Sequence, residues 1–105
     1  MMYARHVTYT LKPNRREDFI KAFEKDIVPL LQKQNGFTDV ITFISPDGKS
    51  LIAISLWERK ENGDAFGREI FPGALKSLTG LYEGTPEVRV FDVATSTFPK
   101  IVATH

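Results

Sequence analysis

The order in which hydrophobic periodicity changes along this chain leaves few folds open. Tyr3, Arg5, Val7, Tyr9 and Leu11 alternate with Ala4, His6, Thr8 and Thr10, a period of two that marks a strand. From Phe19 the period lengthens, and Phe19, Ile20, Phe23, Ile27, Leu30 and Leu31 form one stripe at helical spacing. Asn14-Arg15-Arg16-Glu17 has capping-box spacing, with Asn14 accepting from the third helical amide and Glu17 reaching back. Pro29 is expected to kink the last turn, and Gly36 to stop the helix at positive φ. Phe37 to Ser45 returns to strand periodicity, with Phe37, Ile41 and Phe43 on one face and Val40 and Ile44 on the other. Pro46-Asp47-Gly48-Lys49 is a turn, and Leu51 to Glu58 completes a hairpin. A second helix starts near Asn62 or Asp64 and aligns Phe66, Ile70, Ala74, Leu75 and Leu78, although Pro72-Gly73 must bend it. Gly80, Gly84 and Pro86 close that segment, and Val88 to Ala94 reads as the last strand.

Strand, helix, strand, strand, helix, strand with right-handed crossovers describes a four-stranded antiparallel sheet with both helices on one face. This is the α+β, ferredoxin-like βαββαβ plait. The 105 residues suit a single domain, with a core over about residues 2–95 and a C-terminal tail, 96–105, with reach to a neighbouring chain. No internal repeat, linker or low-complexity stretch is expected.

Composition excludes several function classes. Without cysteine there is no disulfide, thiol nucleophile or zinc–cysteine site. The net charge of +1 and the interrupted basic cluster Lys12 to Arg16 suit a solvated helix entry rather than a nucleic-acid face. No apolar run approaches the roughly 18 residues of a membrane span, and the first ten residues lack the apolar stretch of a signal peptide. The expectation is a cytoplasmic protein with no nucleic-acid or membrane partner.

Both registers of the third strand are largely apolar: Ile52, Ile54 and Leu56 alternate with Leu51, Ala53, Ser55 and Trp57. Phe91 and Val93 likewise oppose Val88 and Val90 in the last strand. Helices cover one face of such a sheet, so the other needs a second cover. A second copy of the chain is the simplest one, giving a homodimer through sheet-to-sheet packing.

The runs Ile27-Val28-Pro29-Leu30-Leu31, Asn35-Gly36-Phe37 and Ile54-Ser55-Leu56-Trp57-Glu58 ahead of a helix resemble antibiotic biosynthesis monooxygenase-type domains of the dimeric α+β barrel superfamily. The likeness spans roughly residues 2 to 95. It implies a cavity between sheet and helices, and activities that include cofactor-independent oxidation of aromatic polyketides, haem cleavage and isomerisation of small metabolites. Haem-degrading relatives carry a histidine on the second helix, and this chain has none there. Polyketide-oxidising members place an asparagine four residues before the tryptophan, where this chain has Ala53.

The candidate residues follow from both lines. Trp57 matches the family tryptophan, which implies contact with an aromatic substrate; a large aromatic at a strand end also packs simply under a helix. His6 is expected either as a general base or as a hydrogen-bonded or interface residue. Arg5 and Tyr9 share a face with Val7, where a charge needs a partner or an anionic ligand. Arg5 is therefore expected to hold an enolate or carboxylate, or else to pair with Asp39, Asp92 or Glu87. Phe66 and Phe71 form either a substrate wall or plain core. With His6 and His105 far apart in sequence, no metal site is expected, and no cofactor. The expected ligand is a small hydrophobic or aromatic molecule.

Overall fold

The computed structural model describes residues 1–98, so His105 and the end of the C-terminal tail lie outside the described residues. Four strands, β1 (Tyr3–Leu11), β2 (Phe37–Ile44), β3 (Ser50–Trp57) and β4 (Tyr82–Asp92), form one sheet in the order β2-β3-β1-β4. All neighbouring pairs are antiparallel. Two helical segments, residues 16–32 and 60–78, pack on the same face. This is the ferredoxin-like plait that the periodicity predicts. The core lies between the layers: Val7, Tyr9 and Leu11 from β1 and Leu51, Ala53 and Trp57 from β3 meet Phe19, Phe23 and Leu31 on one side and Phe66 and Leu78 on the other.

Local structure departs from the sequence expectations at several points. Asn14 does not cap the first helix. It sits at φ 61°, and the Arg15 amide donates to the Lys12 carbonyl at 3.2 Å. Pro13 and Asn14 thus occupy the central positions of a type II turn, which requires positive φ at its third residue. Arg15 becomes the cap residue without a side-chain bond and pairs instead with Asp18 at 3.0 Å.

Neither helix is a continuous α-helix. The first passes from Arg16–Ala22 through a π turn, Phe23–Ile27, to Val28–Gln32. The second starts at Lys60 rather than Asn62 and passes through a π turn at Phe66–Ile70 before Phe71–Ala74 and a short 3-10 turn. In each case a proline, Pro29 or Pro72, lies two residues beyond the π turn. Proline cannot donate to the carbonyl four residues back and clashes with it; a wider turn just before the ring spares the helix that clash. The two stretches, Phe23-Glu-Lys-Asp-Ile-Val-Pro29 and Phe66-Gly-Arg-Glu-Ile-Phe-Pro72, share one pattern. The chain therefore carries a short internal repeat where none was expected, one copy in each half of the plait.

A register shift in β2 between Phe37 and Asp39 puts Phe37 opposite Trp57, on the helix-covered face with Val40 and Ile44. Simple alternation had placed Phe37 with Ile41 and Phe43; a bulge adds one residue and reverses the face of what precedes it. β4 begins at Tyr82, six residues earlier than Val88. Gly84 at φ 65° and a register shift opposite Thr8 and Thr10 take up the irregularity, and Pro86 is accommodated because β4 is an edge strand.

Candidate functional site

Alternation along β1 sends Arg5 and Tyr9 under the helices and His6 to the opposite face, opposite Ile54 and Arg89. Arg5 is 5% exposed. Its guanidinium carbon lies 4.8 Å from the Phe71 ring centre and 5.6 Å from that of Phe66. Gly67 lets the second helix come this close, since a Cβ there would stand 3.0 Å from Cζ, Nε and Nη2 of Arg5. Nη1 is buried without a hydrogen-bond partner, and among the described residues no ion pair reaches Arg5. The expected pairing with Asp39, Asp92 or Glu87 does not form. Burial holds the Arg5 pKa below its usual value, opposed by Tyr9, Tyr3 and Asp64.

The chamber beside Arg5 is lined by Tyr9, Ser55, Phe23, Ile27, Phe66 and Phe71 among others and measures about 20 Å³, room for roughly one water molecule. Tyr9 is 2% exposed, and burial raises its pKa, so it remains a neutral phenol. Its ring stands edge-on to Phe19 and Tyr82 at 4.9 and 5.7 Å. A wider groove of about 310 Å³ lies alongside, between the first helix and β2.

Trp57 does not line either space. It is fully buried between Phe37, at 5.6 Å, and Phe66, at 5.3 Å, and its Nε1 donates to Ser55 Oγ at 2.9 Å. Its N–H is therefore committed within the fold, and its reach to the chamber runs through Ser55. Because Ser55 Oγ already accepts from Trp57, its own proton is free to turn toward the chamber. Ser55 went unrecognised in the sequence, although it is the one hydroxyl in the otherwise apolar inward register of β3.

The structure thus brings Arg5, Tyr9, Phe66 and Phe71 together, adds Ser55 and Phe23, and sets Trp57 behind them. His6 is separated from all of these by the sheet. Its Nδ1 is buried without a partner, and its ring stands edge-on to Phe91 at 6.1 Å. Arg5, Ser55 and Tyr9 offer donors to one small volume with aromatic walls, an arrangement that suits an acceptor oxygen on a planar ring. Among the described residues no cluster of three metal-ligating side chains occurs.

Further along β1, Tyr3 donates to Asp64 Oδ1 at 2.9 Å, and Lys60 holds Oδ2 at 3.0 Å. Burial, then the bond to Asp64, pushes the Tyr3 pKa up to about 12 from 10.0. A raised pKa contributes stability that is complete below pH 10 and is lost as pH rises toward 12. Tyr3→Phe is expected to cost about 1 kcal/mol at pH 8 from the lost hydrogen bond. The gap to the native protein should then narrow in melts taken at increasing pH above 10; a gap constant to pH 11.5 would refute this role.

No family model matches the chain, and no curated protein does. Solved structures do. An antibiotic biosynthesis monooxygenase of Bordetella bronchiseptica, so described provisionally, superposes with a TM-score of 0.76 at 18% identity, covering 90% of this chain and 98% of that one. SnoaB, a cofactor-independent oxygenase from Streptomyces nogalater, gives 0.72 at 17% identity over 91% and 96%. The monooxygenase ActVA-Orf6 of Streptomyces coelicolor, solved with nanaomycin D, gives 0.73 at 20% identity over 92% and 91%. The chain has the fold of antibiotic biosynthesis monooxygenase-type structures. No helix among the described residues is long and apolar enough to cross a membrane.

Proposed function

We propose that this protein is a cofactor-independent monooxygenase that binds a small aromatic or enolisable metabolite as its oxyanion against Arg5. The observation that carries the reading is a buried guanidinium with an unpartnered Nη1 inside an aromatic box. Burying a charge without a partner is expensive, and an anionic ligand removes that cost. A phenol or enol whose oxygen accepts from Arg5 and Ser55 ionises more readily, and its proton leaves to solvent; among the described residues no carboxylate or histidine lines the chamber. The resulting carbanion is electron-rich at the ring carbon that meets oxygen. Conversion of a ring methylene to a carbonyl consumes one O₂ and releases one water, so the step balances without an external reductant. Phe66 and Phe71 hold the ring, Tyr9 and Ser55 share the oxyanion, and Trp57 fixes Ser55. The shared fold of SnoaB and ActVA-Orf6 supports this reading.

Homodimerisation through the outer sheet face belongs to the same proposal. Phe43 and Phe91 are 51% and 44% exposed there, beside partly exposed Ile41, Ile52 and Ile54. The unpartnered Nδ1 of His6 lies on this face too, which makes His6 an interface residue rather than the chamber's base. Light scattering at micromolar concentration is expected to give twice the chain mass of 11.9 kDa; the monomer mass would overturn it.

The catalytic reading is tested by oxygen uptake with a panel of dihydroxyaromatic and anthrone-like substrates. At least one is expected to consume oxygen in equimolar amount and yield a quinone. A second reading, a non-catalytic small-ligand-binding or assembly module, is favoured by the small volume beside Arg5. Ligand binding with no uptake above the protein-free rate across the panel would select it.

A further inference from the structure

Arg5, Ser55 and Val40 stand side by side in one row across β1, β3 and β2, since Ser55 pairs with Arg5 on one side and Val40 on the other. Neighbouring strands lie about 4.8 Å apart, so the row runs about 10 Å from the chamber toward the groove. In the helix layer above it, Phe23 lines both spaces, as Val40 does from the sheet. The Phe23 ring is 5% exposed and lies nearly parallel to that of Phe19, at 6.3 Å. Phe23 opens the π turn of the first helix, whose wide bond runs from the Val28 amide to the Phe23 carbonyl. Phe66, also on the chamber wall, opens the second π turn in the same way. Such turns are frequent at functional sites.

We infer that Phe23 sets the size of ligand this site accepts: its ring swings from the chamber into the groove to admit an aromatic ring beside Arg5. Further fused rings then extend along the row, over Val40. This rests on the reading of Arg5 as an oxyanion site, and it adds the residue that decides how many rings follow the oxygen. Size supports it. The chamber's volume of about 20 Å³ is far below the roughly 300–1,000 Å³ of small-molecule sites, and the groove's 310 Å³ brings the joined space into that range. The other aromatic walls are held from both sides: Tyr9 by Phe19 and Tyr82, and Phe66 by Trp57 and Phe71. Phe23 instead has the groove beside it, where Val28 and Phe37 offer apolar contact to the displaced ring. The sheet beneath is no obstacle, because Ala53 and Ser55 are small.

The test uses the full chain under nitrogen and three ligands with the same oxygen: phenol, 2-naphthol and 2-anthrol, with one, two and three linearly fused rings. Dissociation constants are measured by calorimetry for the native protein, Phe23→Leu, Thr42→Trp, the double variant and Arg5→Met. Phe23→Leu is expected to bind all three about tenfold tighter, the scale of giving up half of a buried phenylalanine's burial. Thr42→Trp fills the groove from an exposed position on β2, where an aromatic suits the strand and leaves the core intact. It should weaken all three ligands about tenfold, because the Phe23 ring then has nowhere to go. Adding Phe23→Leu to Thr42→Trp should restore phenol and leave 2-anthrol weak. Native affinities in Phe23→Leu, or in Thr42→Trp, would overturn the role of Phe23 and leave Arg5 untouched. Failure of all three ligands to bind the native protein and Phe23→Leu, or equal binding to Arg5→Met, would overturn the oxyanion reading and this inference with it.

Discussion

Arg5→Met is expected to make the protein more stable and to weaken its hold on an aromatic oxyanion by one to two orders of magnitude. The two effects come from one geometry. The guanidinium is 5% exposed and unpaired, and desolvating a charge in real proteins costs several kcal/mol after relaxation. Against that stand two cation–π contacts, to Phe71 and Phe66, each worth up to about 2 kcal/mol when desolvated. Methionine fills a similar volume and packs well against aromatic edges. The balance favours a gain of about 1 kcal/mol, or roughly 4–8 °C in melting temperature for a domain of this size. A charge-assisted hydrogen bond is worth about 1.5–3 kcal/mol, so affinity for a naphtholate-type ligand should fall by about 10- to 150-fold. Differential scanning calorimetry and ligand titration on one preparation read both. A loss of more than about 2 kcal/mol in stability would identify Arg5 as a structural cation and remove the main support for the proposed chemistry.

Trp57→Ala is expected to produce the largest loss of stability of any single truncation, about 3–5 kcal/mol. Trp57 is fully buried and joins Phe37 of β2 to Phe66 of the second helix, so its removal leaves a cavity bordered by elements that cannot all collapse inward. The melting temperature should fall by roughly 15–25 °C. Trp57→Phe separates packing from positioning. It retains most of the apolar area and loses the bond from Nε1 to Ser55 Oγ, so stability should drop by only about 1–2 kcal/mol. If Trp57 acts on the chamber through Ser55, Trp57→Phe and Ser55→Ala should weaken oxyanion binding by similar factors, and the double variant by no more than either alone. Fully additive losses would show that Trp57 reaches the ligand by a route other than Ser55.

The limits of what was legible follow from particular residues. Opposite faces for Arg5 and His6 were readable, because side chains alternate along any strand regardless of what surrounds it. Alternation by itself also assigns Phe37, but the bulge before Asp39 adds a residue and turns Phe37 inward onto Trp57. The capping box at Asn14 obeyed the local pattern and failed, since the Pro13-Asn14 turn took the backbone into the left-handed region first. Ser55 was visible only as a small polar residue in an apolar register, and its importance depends on a tryptophan two residues away turning back toward it.

The amino-acid sequence by itself determined the order of elements, the plait, and the inward direction of Arg5 and Tyr9. These rest on short-range periodicity and on connection rules that apply wherever such segments occur. Only the tertiary structure decided what stands around Arg5. Phe23 and Phe66 reach it from segments more than forty residues apart, each delivered by a π turn that shifts the phase of its helix ahead of a proline. The missing partner of Nη1 was equally invisible, because whether a buried cation is paired depends on which carboxylates the packing brings near. Here it brings aromatic rings and a glycine.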